Sequence, residues 1–122
     1  MIYLDTSALV QLYYKEPDSH WIRRAAARAP ALVTAALTYA EIFAALNRKF
    51  LEGLMDLQQY RALAEQFDAD WADWEVVPLS DEVLRIARRV VERHHLRAGD
   101  AVQLASALTV TSAMAAASRP NP

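Results

Sequence analysis

The chain opens with MIYLDTSAL (residues 1–9), a short apolar segment that runs into an acid and two hydroxyl residues. Residues 2–4 suit a β-strand, and the following Asp5-Thr6-Ser7 is typical of a strand end that caps a helix. A carboxylate placed there lies at the carboxyl end of a strand, where open parallel sheets bind their ligands. The alternative is that Asp5 only caps the helix that follows.

Strand and helix signals alternate along the rest of the chain. The further candidate strands are 31–34 and 75–79. Four candidate helices are 8–14, 16–28, 37–51 and 56–74. A fifth helix is capped by Ser80-Asp81, and Asp100 opens a sixth after a turn at 96–99. This alternation predicts a parallel sheet with right-handed helical crossovers. We expect one α/β domain over residues 1–122.

Two of these helices carry a burial pattern. The segment 37–51 is apolar on nearly every side, which predicts a buried helix. The helix after Ser80-Asp81 instead gathers its apolar residues on one face, at Val83, Ile86, Ala87, Val90 and Val91. That spacing predicts a helix that packs through a single stripe.

Composition excludes several classes of protein. The 122 residues contain no Cys, which excludes a disulfide scaffold and a thiolate zinc site. The net charge of −2 excludes a strongly basic protein that coats nucleic acid. Residues 101–118 are uncharged and long enough for a membrane span, but they are mostly alanine and include polar residues. With no secretory segment visible at the start, we expect a soluble cytoplasmic protein without a membrane partner.

Charge is unevenly distributed. Residues 62–84 contain seven acids and no Lys or Arg, whereas residues 85–97 contain five arginines and one acid. The five are Arg85, Arg88, Arg89, Arg93 and Arg97. Both blocks suit solvated helix faces, and the arginine face also suits a surface that follows RNA phosphates.

Glu41 interrupts the apolar helix LTYAEIFAAL (residues 37–46). An unpaired buried carboxylate is costly, so a metal ion or another cation is a natural partner. One alternative is a capping box with Thr38, and another is an ion pair with Arg48 or Lys49.

Asp100 follows Gly99 at the start of the last helix, where an N-cap role would be sufficient. Together with Asp5 and Glu41 it forms a set of strand-end, mid-helix and helix-start acids. Clustered carboxylates repel unless a hard divalent cation such as Mg²⁺ or Mn²⁺ holds them. Such a site activates water and neutralises charge on a phosphodiester.

Three segments together resemble PIN-domain proteins, in particular the VapC-like toxins of bacterial VapBC toxin–antitoxin pairs. They are residues 1–9, the stretch YAEI (residues 39–42) with Arg48 downstream, and LRAGDAVQLA (residues 96–105). Their order and separations match the family over about residues 1–108.

The resemblance implies a three-layer α/β/α domain and an endoribonuclease that depends on Mg²⁺, with Mn²⁺ as a substitute. It implies that Asp5, Glu41 and Asp100 are catalytic metal ligands, supported by Thr6 or Ser7. It also implies a homodimer that a VapB-like antitoxin neutralises. The assignment of the five arginines to RNA binding rests on charge alone.

The chain departs from the family after the third segment. The family pattern continues into another strand and a fourth acid, but here no Asp or Glu follows Asp100, and Ala113 stands about where that acid belongs. We therefore expect a divergent tail over 109–122, missing or altered C-terminal strands, and weakened metal binding. A rival interpretation is a PIN-like protein that binds antitoxin or RNA without cutting; another is a helical interaction module whose acids are all caps.

Overall fold

A computed structural model of the protein describes residues 1–14 and 19–117. Within these residues the strands are β1 (Ile2–Tyr3), β2 (Leu32–Ala35) and β3 (Glu75–Val77). The helices are α1 (Thr6–Tyr13), α2 (His20–Arg28), α3 (Leu37–Leu51), α4 (Leu57–Trp71), α5 (Asp81–His94) and α6 (Ala98–Ala117). The mixed α/β fold is confirmed. The predicted start of α2 at 16–18 lies outside the described residues.

The sheet is short, and its strands lie in the order β1-β2-β3. β1 runs parallel to β2, with Ile2 opposite Leu32. The Leu4 amide donates to the Val33 carbonyl at 2.9 Å, which extends this pairing to the end of the first segment. β1 is therefore an edge strand whose carboxyl end leads directly into Asp5.

The described chain forms two compact units. The first comprises Met1–Val33 and Thr38–Glu75. Its centre is Phe67, a fully buried residue of α4. Five aromatic rings surround it with centroids 5.4–5.8 Å away, those of Tyr13, Tyr39, Phe43, Trp71 and Trp74. Edge-on and tilted contacts of this kind stabilise a core beyond the area that they bury.

The second unit comprises Thr34–Leu37 and Val76–Pro122. Its core joins α5 to α6 through Val83, Ala87, Val90, Ala101 and Ala105. The predicted apolar stripe of α5 is confirmed, because three of its members are buried and the remaining two, half-buried, pack against the same cluster. The small alanines of α6 allow the two helices to approach closely.

The prediction that α3 is buried on all sides is wrong. Thr38, Ile42 and Leu46 are buried at the four-residue spacing of one helical face. Tyr39 and Leu51, by contrast, are 39% and 73% exposed. The apolar composition concealed an ordinary one-sided helix, because alanine and aromatic residues also stand on its exposed face.

Two helices begin earlier than the sequence predicts. α1 begins at Thr6 rather than at residue 8, and α6 begins at Ala98 rather than at Asp100. The predicted turn at 96–99 is shorter for this reason, and Gly99 lies inside α6. A glycine in the first helical turn weakens the sequence signal for a helix start without preventing it.

After Asp100 the described chain remains helical through Ala117 and contains no strand. The hydroxyls of Ser106, Thr109 and Thr111 donate to carbonyls four residues earlier, so these three polar groups are satisfied within the helix. The expected alteration of the C-terminal strands is thus confirmed as far as residue 117. Of the helices described, none has the length and apolarity needed to cross a membrane.

Candidate active site

Asp5 occupies the N-cap of α1. Its Oδ1 accepts a hydrogen bond from the Ala8 amide at 2.9 Å, and the side chain is exposed. Asp5 is therefore the N-cap of α1. An ionised carboxylate has two oxygens and about four lone-pair sites, so the capping hydrogen bond does not use all its acceptor sites.

Glu41 is the fifth residue of α3 and is half-buried. Its Oε1 accepts a hydrogen bond from Thr6 Oγ1 at 2.7 Å, across 35 residues of sequence. The capping-box alternative is wrong, because α3 begins at Leu37 and Thr38 already lies inside the helix. A buried carboxylate needs a partner, and the Thr6 hydroxyl is one partner of Glu41.

Thr6 links the chain segment that follows Asp5 to the Glu41 carboxylate, and both acids belong to the first unit. Asp5 ends the β1 segment, Thr6 follows it directly, and Thr6 bonds to Glu41. Ser7, the other predicted supporting residue, is exposed in the first turn of α1. The opening segment thus supplies one carboxylate and the hydroxyl that positions the other.

Asp100 is exposed in the first turn of α6, in the second unit. It is the third residue of that helix, so the expectation that it is the N-cap is wrong. A negative charge in a first turn is favourable because it faces the positive end of the helix dipole. The role of Asp100 in a metal site stays a prediction from the motif.

The oxygen donors of Asp5 and Glu41 suit a hard divalent cation. Over residues 1–14 and 19–117, no group of three or more acidic or histidine side chains is placed to hold a metal ion. Mg²⁺, however, prefers hard oxygen donors and keeps several waters, and one or two carboxylates with substrate phosphates are sufficient to bind it. The carboxylate oxygens of Asp5 and Glu41 are donors of this kind.

The predicted RNA-binding arginines are all exposed, on α5 and in the segment just after it. Arg88 Nε is 2.9 Å from Glu92 Oε1 in a solvated i,i+4 pair. Arg89 and Arg93 border an α5–α6 groove of about 730 Å³ that also contains Leu104 and Leu108. Exposure is compatible with phosphate contacts, and RNA binding by this face stays a prediction.

Two hydrogen bonds of the acidic segment 62–84 have no signal in the sequence. Tyr39 donates to Asp68 at 2.7 Å, and Tyr13 donates to Asp70 at 2.6 Å. Burial, together with the Asp70 carboxylate, raises the pKa of Tyr13 well above its ordinary value. The hydrogen bond to Asp68, and to a lesser extent burial, raises the pKa of Tyr39. No local spacing could have indicated these pairs, since 29 and 57 residues separate the partners.

Comparison with known proteins places this arrangement in context. A chain in a toxin–antitoxin complex from Klebsiella pneumoniae has the same fold, with a TM-score of 0.69 and 14% identity over 91% of this chain and 81% of that chain. A comparison with curated proteins found no match. The model of the PIN domain family matches residues 2–116, beyond the expected limit at 108 and across both units. The chain belongs to the PIN domain family.

Proposed function

We propose that the protein is a metal-dependent endoribonuclease of the VapC-like type and the toxin of a toxin–antitoxin pair. PIN domains are generally metal-dependent nucleases, and this chain belongs to the PIN domain family. The observation that carries the proposal is the Thr6–Glu41 hydrogen bond. It holds a half-buried acid against the residue that directly follows Asp5.

In this proposal Asp5 and Glu41 hold Mg²⁺ or Mn²⁺, and Asp100 joins them on the strength of the motif that it occupies. The bound cation would neutralise charge on a phosphodiester and lower the pKa of a water molecule. Thr6 fixes the rotamer of Glu41 through its hydroxyl, and the α1 cap fixes that of Asp5. Ser7 is exposed in the first turn of α1 and would position a water molecule or the substrate.

The partners follow from the same proposal. The similar chain from Klebsiella pneumoniae comes from a toxin–antitoxin complex. We propose a VapB-like antitoxin for this protein, an RNA substrate, a homodimeric state and a location in the cytoplasm. The arginines of α5, with Arg97, would contact RNA phosphates.

Cleavage of a fluorescent single-stranded RNA in Mg²⁺ tests the enzymatic proposal. We expect cleavage by the wild type, its loss in EDTA, and its loss in Asp5→Asn. Asparagine is as good an N-cap as aspartate, so α1 and the fold should persist. Asp73→Asn, a matched change at an exposed acid of the same unit, should leave cleavage unchanged. Equal cleavage by wild type and Asp5→Asn would refute the proposal.

A second candidate function is binding without cleavage. Two observations favour it: the described residues contain no three-acid group placed for a metal, and no acid follows Asp100 in the sequence. A wild type that binds antitoxin but leaves RNA intact in both Mg²⁺ and Mn²⁺ would support this function. Titration calorimetry would then show metal binding weaker than that of a PIN nuclease with four acids.

A further inference from the structure

A small polar pocket of about 350 Å³ lies in the first unit between α1 and α3. It belongs to none of the predicted sites, although Ser7 borders it. The lining is mostly polar. The residues are Ser7, Val10 and Gln11 of α1, Ala45, Arg48 and Lys49 of α3, and Glu52 directly after α3.

The pocket continues the face of α3 that carries Glu41. Residues three or four apart lie on the same helical face, so Ala45 follows Glu41 by one turn and Arg48 follows by two. At about 1.5 Å per residue, Arg48 stands roughly 10 Å along the axis from Glu41. On the opposite wall, Ser7 directly follows Thr6, the residue bonded to Glu41. The pocket therefore begins at Ser7, next in sequence to Thr6, and at Ala45, one turn beyond Glu41 on α3.

The charge of the lining is opposite to that of the neighbouring acids. Arg48 is exposed, and Lys49 is half-buried with its Nζ 4.2 Å from the centroid of the Tyr14 ring. This cation–π contact restrains the lysine at the wall of the pocket. Ser7 and Gln11 add neutral donors, and Glu52 is the one acid among the lining residues described.

We propose that this pocket binds a backbone phosphate of the RNA strand close to the bond that is cut. The inference rests on the proposed function and adds a subsite to it. Arg48 is the principal contact, Lys49 adds charge, and the Ser7 and Gln11 side chains donate hydrogen bonds. No aromatic ring or base-reading groove lines the pocket among the described residues, so the contact is with the backbone and tolerates any sequence. A spacing of roughly 10 Å corresponds to about three stacked nucleotides.

Fluorescence anisotropy of a labelled single-stranded oligoribonucleotide, measured in EDTA at several salt concentrations, tests the subsite. One phosphate contact on a single strand changes the slope of log affinity against log salt by about 0.7. We expect Arg48→Gln to lower the magnitude of that slope by this amount and to weaken binding roughly eightfold near 50 mM salt, the factor that this slope gives between 1 M and 50 mM. Glu52→Gln should strengthen binding, because it removes the acid that repels phosphate. Arg61→Gln, an equal change of charge at an exposed position of α4, should change neither quantity.

Binding without metal separates this inference from the nuclease proposal. If RNA is cleaved but Arg48→Gln binds it as the wild type does, the subsite is refuted and the nuclease proposal stands. If Arg61→Gln loses as much affinity as Arg48→Gln, only diffuse charge is acting, which also refutes the subsite. Should Arg48→Gln lower the affinity for an acidic antitoxin peptide while leaving the affinity for RNA unchanged, the pocket is a protein contact and the inference fails. Circular dichroism of each variant checks that the helices are intact.

Discussion

Single residues carry most of the chemistry, and the Thr6 hydroxyl has the widest effect among them. It connects the start of α1 to the middle of α3 and orients a half-buried carboxylate. The sequence indicated Asp5 and Glu41 as candidate site residues from their places on strand and helix, and the family resemblance added Thr6. It could not predict which hydroxyl would bond to which acid, because that pairing depends on how α1 and α3 pack.

Removing the Thr6 hydroxyl should weaken both the fold and the site. Thr6→Val keeps the shape of the side chain but leaves Glu41 without this donor. A hydrogen bond to a charged group contributes about 1.5–3 kcal/mol, so we expect a loss of that order in the free energy of unfolding. Urea denaturation measures the loss, and RNA cleavage in Mg²⁺ should fall in parallel. Thr6→Ser retains the hydroxyl and should behave like the wild type; equal stability of Thr6→Val would contradict the argument.

Tyr13 makes stability depend on pH in the alkaline range. Burial, then Asp70, raises the pKa of Tyr13 in the folded state above its ordinary value of 10.0. The folded protein therefore holds this proton more tightly than the unfolded chain does. The resulting stabilisation is complete below pH 10 and declines as the pH rises above it, with a slope approaching about 1.4 kcal/mol per pH unit.

Urea denaturation between pH 8 and pH 11 checks this dependence. We expect the free energy of unfolding to fall more steeply above pH 10 for the wild type than for Tyr13→Phe, which has no proton to lose. Parallel curves for the two proteins would contradict the assignment.

At the scale of helices and strands, local signals predicted most boundaries. Ser80 at the cap of α5, Asp56 at the cap of α4 and the limits of α3 follow directly from capping and turn chemistry. The errors arose where local chemistry was ambiguous. Asp100 looks like a cap but lies inside α6, and the apolar composition of α3 concealed its one buried face.

The cap of α5 offers a test at this scale. Ser80 Oγ accepts from the Val83 amide at 3.2 Å, and Val83 is fully buried against α6. Ser80→Ala should lower the free energy of unfolding by about 1 kcal/mol, and Ser80→Asp should preserve it. Ser112→Ala, at an exposed position inside α6, should be neutral or slightly stabilising, since alanine favours helix. Thermal denaturation distinguishes these outcomes.

For the whole molecule, the sequence predicted the α/β class and the PIN family, because three short motifs occur in the family's order. It did not indicate the two compact units, since their boundaries cross β2 and β3 rather than a linker. The absence of a fourth acid also belongs to this scale. α6 continues as a helix through the described region where the family pattern has a strand.

Metal binding should stabilise the whole folded chain if Asp5 and Glu41 hold the ion. A ligand at ten times its dissociation constant raises the free energy of unfolding by about 1.4 kcal/mol. We expect Mg²⁺ to raise the midpoint of thermal unfolding for the wild type but not for Asp5→Asn, and Ca²⁺-free EDTA buffer to abolish the difference. An equal rise in both proteins would place the bound ion elsewhere.

The aromatic cluster around Phe67 has an optical consequence. Every Trp, Tyr and Phe of the sequence falls within Met1–Val33 or Thr38–Glu75, and residues 76–122 contain none. Tryptophan emission and near-ultraviolet dichroism therefore report on the first unit alone, whereas far-ultraviolet dichroism also records α5 and α6. Comparing the two signals during thermal unfolding of the unlabelled protein therefore shows whether the two units unfold cooperatively or in succession.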